Sequence, residues 1–509
     1  MEVHVTHRPT RRSLLLSAAA LAVTAGPLAT TARAAAKTPK VLVIGLDGAL
    51  LTRIKDADAP NLDALMAAGL TAPSTIYANP LAPTMSGPGW STLITGVWPD
   101  KHNVRDNAFA GHRFAQYPDF LTRIETAAPS RTTYAVSSWA PITDTVFSAA
   151  VDTRVSTPSA EYDTGTTSRA VDRLGNGNPD AVFVQLDNID HAGHDHGAAS
   201  SQYLAAIHTA DAQVGRMVAA VKSRPSYGAE DWLIMITADH GHTDAGGHGG
   251  STLPERSTFL IATGPTLAAG SVRYDVKMPD VAASALAHLG IAIDPAWNLD
   301  GRPVQQPRPD DFDALRPKLT ARTDAKLTAR TDETGIPAGV LGHTHTPPAG
   351  WTVDNSAMGT GGVAEWRGWT FTTDEFWTSA QRDQSRESNI RARNVFAVAD
   401  GDEWYDKPVT GTFDSTLVSP AYPVTGGRTA TLTYTTYYRH ESPQKGEVLV
   451  SYDGAAPVSV RTYTADVPSR TETVTLQVPS GARTARVRFR YSGGNNWYWV
   501  IDGVALTGS

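Results

Sequence analysis

Cysteine is absent from all 509 residues, which excludes disulfides, thiolate metal ligands and iron–sulfur clusters. Any metal must therefore be held by carboxylates, imidazoles and hydroxyls, a donor set suited to Zn, Mn, Fe or Ca. No apolar run reaches the ~20 residues that a membrane-spanning helix needs, so no transmembrane segment is expected. A basic excess is lacking too. The formal charge is −7, which argues against nucleic acid as an obligate partner, because a phosphate backbone demands a basic face. Charged residues make up only 19% and apolar ones 41%, the balance of an ordinary globular chain. Stability must come from packed cores, and 509 residues exceed what one core usually supports, so two folded domains are expected.

What is present begins with a targeting pattern in residues 1–36. Arg11-Arg12 precede Ser13-Leu14-Leu15-Leu16, a modestly apolar run continues to Leu28, and Ala32-Arg33-Ala34 offers a small-residue cleavage site. This reads as a signal peptide. The paired arginines resemble a twin-arginine signal, which implies secretion of a folded chain to the periplasm or the medium.

Residues 37–305 alternate strand-like and helical patterns. Val41–Ile44, Ala181–Val184 and Trp232–Ile236 are continuous apolar runs, as expected of parallel strands covered on both faces. Between the last two, Leu204, Ile207, Ala210, Val214, Val218 and Val221 recur at helical spacing. The fold class predicted is α/β, a mainly parallel sheet with helices on both faces, followed by an all-β sandwich. Residues 306–347 read as a linker. They are poor in large apolar residues and carry a tandem repeat, Lys318–Asp324 and then Lys326–Asp332. Residues 348–509 turn to β character: Thr429–Tyr438 and Ala485–Tyr491 alternate, and Asp453-Gly454 and Gly493-Gly494 mark turns.

Three carboxylates follow three of the inferred strands: Asp47, Asp190 and Asp239. Ligand crevices of open α/β sheets lie outside the carboxyl ends of the strands, so these acids can converge. Histidines accompany two of them. His194 lies four residues beyond Asp190, and His240 adjoins Asp239 with His248 beyond a glycine-rich loop. Mixed Asp/His sets are donors for divalent cations, and clustered carboxylates would repel one another without them.

At these residues the chain from Val41 to Val304 resembles the alkaline phosphatase superfamily, most closely its type I phosphodiesterase/nucleotide pyrophosphatase branch. The motifs are Leu46-Asp47-Gly48, Pro83–Pro88 running on to Thr95-Gly96, Pro99 and His102, then Asp190 through His194 to Gly197, and Ala238-Asp239-His240-Gly241. The resemblance implies two divalent metal ions, with zinc as the metal. Asp190, His194 and His248 would hold one; Asp47, Asp239, His240 and the Ser86 oxygen would hold the other. It also implies Ser86 as nucleophile and Asn107, 21 residues later, as donor to a phosphoryl oxygen. Thr84 is the competing hydroxyl, disfavoured because the spacing to Pro88 and Asn107 fits Ser86. His248 departs from the nucleotide pyrophosphatases, which place this ligand much later, whereas other branches have it close by. A sulfatase would need arginine where Trp90 stands.

The reaction expected is hydrolysis of phosphate diesters, of nucleotide, glycerophosphodiester or lipid head-group type, through a phosphoserine. Trp139, where some monoesterases carry a basic pair, suits a diester's second substituent. A phosphomonoesterase is the alternative, and a non-catalytic secreted binding protein the rival from another class. The N-terminus of a helix opening near Gly87 is expected to point backbone N–H groups at the phosphate. His191, His196 and His242 read as neighbours of the ligands rather than ligands. Asp187 with His191 offers a shifted register for the Asp190 motif. His343, His345 and Asp244 read as exposed. Trp366, Trp369, Trp377, Trp404, Trp497 and Trp499 read as sandwich core, with a glycan or cell-surface platform as the other reading. Trp497–Val504 resembles the closing strand of jelly-roll accessory domains.

Overall fold

This computed structural model describes residues 36–319, 336 and 339–508, so the expected signal peptide and most of the tandem repeat lie outside the described residues. The first sheet uses eight strands: β1 (Thr38–Leu46), β2 (Leu70–Thr75), β3 (Thr133–Ser137), β4 (Thr153–Ser156), β5 (Ala181–Leu186), β6 (Glu230–Thr237), β7 (Ser257–Thr263) and β8 (Ser271–Val272). Their order is β4-β3-β5-β1-β6-β7-β2-β8, and only β7 runs against its neighbours.

The apolar run of β1 feeds both faces of this sheet. Val41 and Val43 join one core with Trp90, Leu93 and Ile94, whereas Leu42, Ile44 and Leu46 join the other with Ile207, Val214 and Val221. Strand side chains alternate between faces, so a continuous apolar run is what a doubly covered strand requires. The helix Ser201–Lys222 matches the periodicity read from the sequence, and Ser200 caps it by accepting the Tyr203 N–H. Among the described residues no helix is long and apolar enough to cross a membrane.

The second half forms two antiparallel sheets around one core. Thr429–Tyr438 lies between Val467–Gln477 and Tyr498–Gly508 in one sheet; Thr484–Gly493 lies between Phe413–Val418 and Lys445–Tyr452 in the other. Phe489 bridges them, 5.3 Å from the Tyr434 ring and 5.9 Å from Trp499. Trp366, Trp369, Trp377, Trp404 and Trp499 are fully buried, so they are core and form no surface platform; Trp497 alone of the six is partly exposed. Of residues 306–347, Phe312, Leu315, Leu319 and Ile336 pack into this same core. His343 is half-buried in a short strand paired with Thr370–Thr373, rather than exposed, whereas His345 is exposed.

Three arginines join the α/β layer to the sandwich. Arg393 grips Asp280 through two bonds of 2.6 and 2.9 Å, Arg391 reaches Asp300 and Asp100 at 2.9 Å each, and Arg256 reaches Asp374 at 2.7 Å. Removing one partner of a buried pair leaves the other charge uncompensated. Arg393→Ala is therefore expected to lower the unfolding free energy by about 3–5 kcal/mol in urea titration. Arg53→Ala, which breaks the exposed pair with Asp244, should cost less than about 1 kcal/mol.

Candidate metal centre

β5, β1 and β6 lie side by side and parallel, so their carboxyl ends open onto one crevice. Asp47 follows β1 directly, Asp239 stands two residues beyond β6, and Asp190 lies in the helix Asn188–His196 that follows β5. Close approach of backbone makes this convergence possible. Gly48 has φ +64°, and a Cβ there would sit 2.8 Å from both an Asp190 oxygen and the His242 ring. At Gly45 a Cβ would meet the Trp90 ring at 2.2 Å; the bare glycine seats the indole, whose Nε1–H donates to Asp47 Oδ2 at 2.9 Å.

The ligand atoms of Asp47, Asp239 and His240 lie within 4.8 Å of one another, and all three residues are buried. His240 Nε2 is 3.5 Å from Asp47 Oδ1, 3.3 Å from Asp239 Oδ2 and 3.3 Å from Ser86 Oγ. Each carboxylate has one oxygen fixed by the protein. Asp47 Oδ2 accepts from Trp90 and from Gln185 Nε2 (3.0 Å), and Asp239 Oδ1 accepts from the Gly48 N–H (3.2 Å). The opposite oxygens, Asp47 Oδ1 and Asp239 Oδ2, are buried with no hydrogen-bond partner. Burial first, and then the neighbouring acids, push both carboxyls well above the ordinary range: Asp239 and Asp190 act on Asp47, and Asp190 on Asp239.

Asp190, His194, His242 and His248 form a second group. Asp190 Oδ1 lies 2.6 Å from His242 Nε2 and 3.5 Å from His248 Nε2, Asp190 Oδ2 lies 3.4 Å from His194 Nε2, and the Nε2 atoms of His194 and His248 are 3.0 Å apart. Burial alone would raise the Asp190 carboxyl, but the His242 hydrogen bond and the proximity of His240, His242 and His248 hold it below the ordinary range. Burial pushes His240 and His248 down, toward the neutral imidazole that a metal needs. His248 Nδ1 faces the Thr84 carbonyl at 2.7 Å and His240 Nδ1 the Gly241 carbonyl at 3.2 Å. Carbonyls only accept, so Nδ1 carries the proton and the Nε2 lone pair faces the crevice in both rings. The two rings stack at 3.8 Å, which makes the groups neighbours. Unpartnered buried oxygens, oriented lone pairs and an all Asp/His donor set fit two divalent cations.

Ser86 opens the helix Ser86–Thr95 and is buried beside the first group. The helix N-terminus offers fewer backbone donors than expected. The Gly87 N–H is taken by Asn107 Oδ1 (2.7 Å), Pro88 has none, and the Gly89 N–H bonds the Met85 carbonyl (2.9 Å). Asn107 is thus fixed beside Ser86 with its oxygen engaged and its Nδ2 left to donate. Thr84 Oγ1 donates to the Gly250 carbonyl and accepts the Gly249 N–H, so the competing hydroxyl braces the His248 loop. His102 is buried between Thr92 and the Val104 N–H, and burial lowers it to about 3, as befits a structural imidazole.

Trp139 is half-buried, its backbone N–H bound to Gln185 Oε1 (2.9 Å) and its ring 6.0 Å from that of Phe109. His191 and His196 are exposed, and Asp187 is engaged by Tyr162 (2.5 Å) and Gln185 (3.0 Å), outside both groups. Asp244 is exposed as expected. His242 departs from its reading as a mere neighbour: it is fully buried and makes the shortest imidazole contact to Asp190. Gln185, Trp90 and Phe109 were not singled out for the site. Gln185 held the one sequence signal, a lone polar residue inside an otherwise apolar strand.

A mainly parallel α/β sheet whose strand ends gather these donors beside one hydroxyl defines a phosphoesterase fold of the alkaline phosphatase superfamily. The chain belongs to the type I phosphodiesterase/nucleotide pyrophosphatase family, whose model matches residues 41–393. It is 25% identical over 216 residues to GPI ethanolamine phosphate transferase 2 of Aspergillus oryzae, covering 42% of this chain and 25% of that one. The same enzyme of Aspergillus fumigatus is 25% identical over 206 residues, covering 40% and 26%. The match thus spans about a quarter of the length of these curated relatives. Among solved structures, murine ectonucleotide pyrophosphatase/phosphodiesterase 5 in complex with AMP is similar at 14% identity and TM-score 0.41, over 50% of this chain and 96% of that one. A putative sulfatase from Bacteroides thetaiotaomicron is similar at 14% identity and TM-score 0.43, over 54% and 77%.

Residues that orient a metal ligand typically change metal affinity by about 10–100-fold when lost. Trp90→Phe keeps an aromatic ring over Gly45 but deletes the N–H on Asp47. It is expected to weaken divalent-cation retention by that factor, read as metal content after dialysis against graded chelator.

Proposed function

We propose that this chain is an exported phosphodiesterase that uses Ser86 as nucleophile and two zinc ions. One is held by Asp47, Asp239, His240 and the Ser86 oxygen, the other by Asp190, His194 and His248, with His242 against Asp190. The observation that carries this reading is the placement of Ser86 Oγ 3.3 Å from His240 Nε2, the same nitrogen that lies 3.5 and 3.3 Å from the unpartnered oxygens of Asp47 and Asp239. When bound, the cations supply Lewis acidity, lowering the pKa of a coordinated hydroxyl and offsetting charge on the phosphoryl group. Export rests on the twin-arginine pattern at the N-terminus.

The chain's own residues then have separable tasks. Ser86 Oγ forms a bond to phosphorus while the bond to one alkoxy group breaks. Water next attacks the phosphoserine and releases Ser86 and a monoester. Asn107 Nδ2 donates to a phosphoryl oxygen, since its Oδ1 is already committed to Gly87. Trp139 and Phe109 form an aromatic wall for the diester's second substituent. Among the described residues no lysine or arginine lies within ion-pair distance of Asp47, Asp190 or Asp239, whose cationic contacts are all histidines. A dianionic monoester asks for added basic groups, so this absence favours the diester. Release to water defines a hydrolase; passage of the phosphoryl group to a second alcohol would make a transferase.

The zinc-loaded protein is expected to hydrolyse bis-p-nitrophenyl phosphate in preference to p-nitrophenyl phosphate. Ser86→Ala should abolish turnover, and Asn107→Ala should lower kcat by about 100–1000-fold. A higher kcat/KM for the monoester would replace this reading with that of a phosphomonoesterase. Added ethanolamine or glycerol would reveal transfer as a phosphorylated alcohol.

A further inference from the structure

Between residues of the α/β layer and of the sandwich lies a cavity of about 400 Å³. Two of its lining residues are close in sequence to the site. Arg105 stands two residues before Asn107, which is bonded to Gly87, and Leu81 stands five residues before Ser86. The sandwich wall includes Ser385, part of a turn anchored to the His248 loop where Ser251 Oγ donates to Asp383 Oδ1 at 2.5 Å. The backbone thus links one cavity wall to the residue bonded at the start of the Ser86 helix within two positions.

Its charges are unevenly matched. Arg391 is neutralised by Asp100 and Asp300. Arg105 is exposed and makes no hydrogen bond or ion pair with any described residue. Arg439 stacks on Trp497 at 3.5 Å and donates through Nη1 to the Gln384 carbonyl (2.7 Å) and to Ser385 Oγ (3.2 Å), but pairs with no described carboxylate. Asp466 is the one lining acid without a basic partner, and its Oδ1 accepts the His440 N–H. The Tyr438 hydroxyl, on a fully buried side chain that lines the cavity, has no hydrogen-bond partner. Two guanidinium groups without carboxylates, one held flat against an indole, are suited to fork-like recognition of phosphate oxygens.

We propose that this cavity is a subsite for a second, non-reacting phosphate of the substrate, gripped by Arg105 and Arg439. The proposal rests on the phosphodiesterase reading of the neighbouring centre. It narrows the substrate class to diesters carrying a further phosphomonoester, and it gives the sandwich a direct part in substrate selection.

The test compares the p-nitrophenyl ester of thymidylate with and without an added phosphate on the far sugar hydroxyl, using the zinc-loaded full chain. A charge-assisted contact of this kind should lower KM for the doubly phosphorylated ester by about ten-fold or more. Arg105→Glu and Arg439→Ala should each remove most of that advantage, and both should leave turnover of bis-p-nitrophenyl phosphate within about two-fold. Calorimetric binding of thymidine bisphosphate to Ser86→Ala protein, and its loss on adding Arg105→Glu, reads the subsite without turnover. Absence of all diester hydrolysis with Arg105-dependent binding retained would sink the catalytic reading but support the subsite. Equal KM values together with equal affinities for thymidine bisphosphate and thymidylate would overturn the subsite, as would an Arg105→Glu variant that keeps both preferences.

Discussion

Burial of like charge at one edge of a sheet is the constraint around which this molecule is organised. Asp47 and Asp239 are almost wholly removed from water and Asp190 is nearly so; Asp190 raises the cost of ionising both of the others, and Asp239 that of ionising Asp47. Two unit charges about 4 Å apart repel by about 4 kcal/mol at an effective dielectric constant near 20. A fold gains nothing from such an arrangement by itself. Its stability at neutral pH depends on compensation, and among the described residues only histidines lie within ion-pair distance of these three acids.

The surrounding structure consists of devices that keep those acids in place. Glycine at 45 and at 48 lets the Trp90 ring and the His242 ring approach the backbone where any side chain would collide. Trp90 and Gln185 hold one oxygen of Asp47 and leave the other 3.5 Å from His240. Gln185 also binds Trp139 and Asp187, so one buried amide connects Asp47 to the Trp139 segment. On the other side, Thr84 fixes the His248 ring through its carbonyl and the glycine-rich loop through its hydroxyl. A residue just before Ser86 thereby orients an imidazole more than 160 positions away.

Much of this was legible in the sequence, for reasons that are local. The runs at Val41, Ala181 and Trp232 state their own strands, and the carboxyl-end rule then brings Asp47, Asp190 and Asp239 together without further information. The motifs around Ser86, His194 and His240 carried the family. What escaped depends on contacts across the sheet. His242 looked like a flanking histidine because its neighbour in space, Asp190, is 52 residues away in sequence. The helix opening at Ser86 promised several backbone donors, but Asn107 and the Met85 carbonyl take those of Gly87 and Gly89. The hold of Trp90 on Asp47 could not be read without knowing that Gly45 lies beneath the indole.

The central claim is that two adjacent cations complete this crevice, with Ser86 on the side of Asp47, Asp239 and His240. Anomalous diffraction from crystals of the zinc-loaded protein tests it directly. The account predicts two peaks, one among Asp47, Asp239, His240 and Ser86 Oγ, the other among Asp190, His194 and His248. A crevice that stays free of anomalous signal at saturating zinc, or a single peak remote from Ser86, would contradict it.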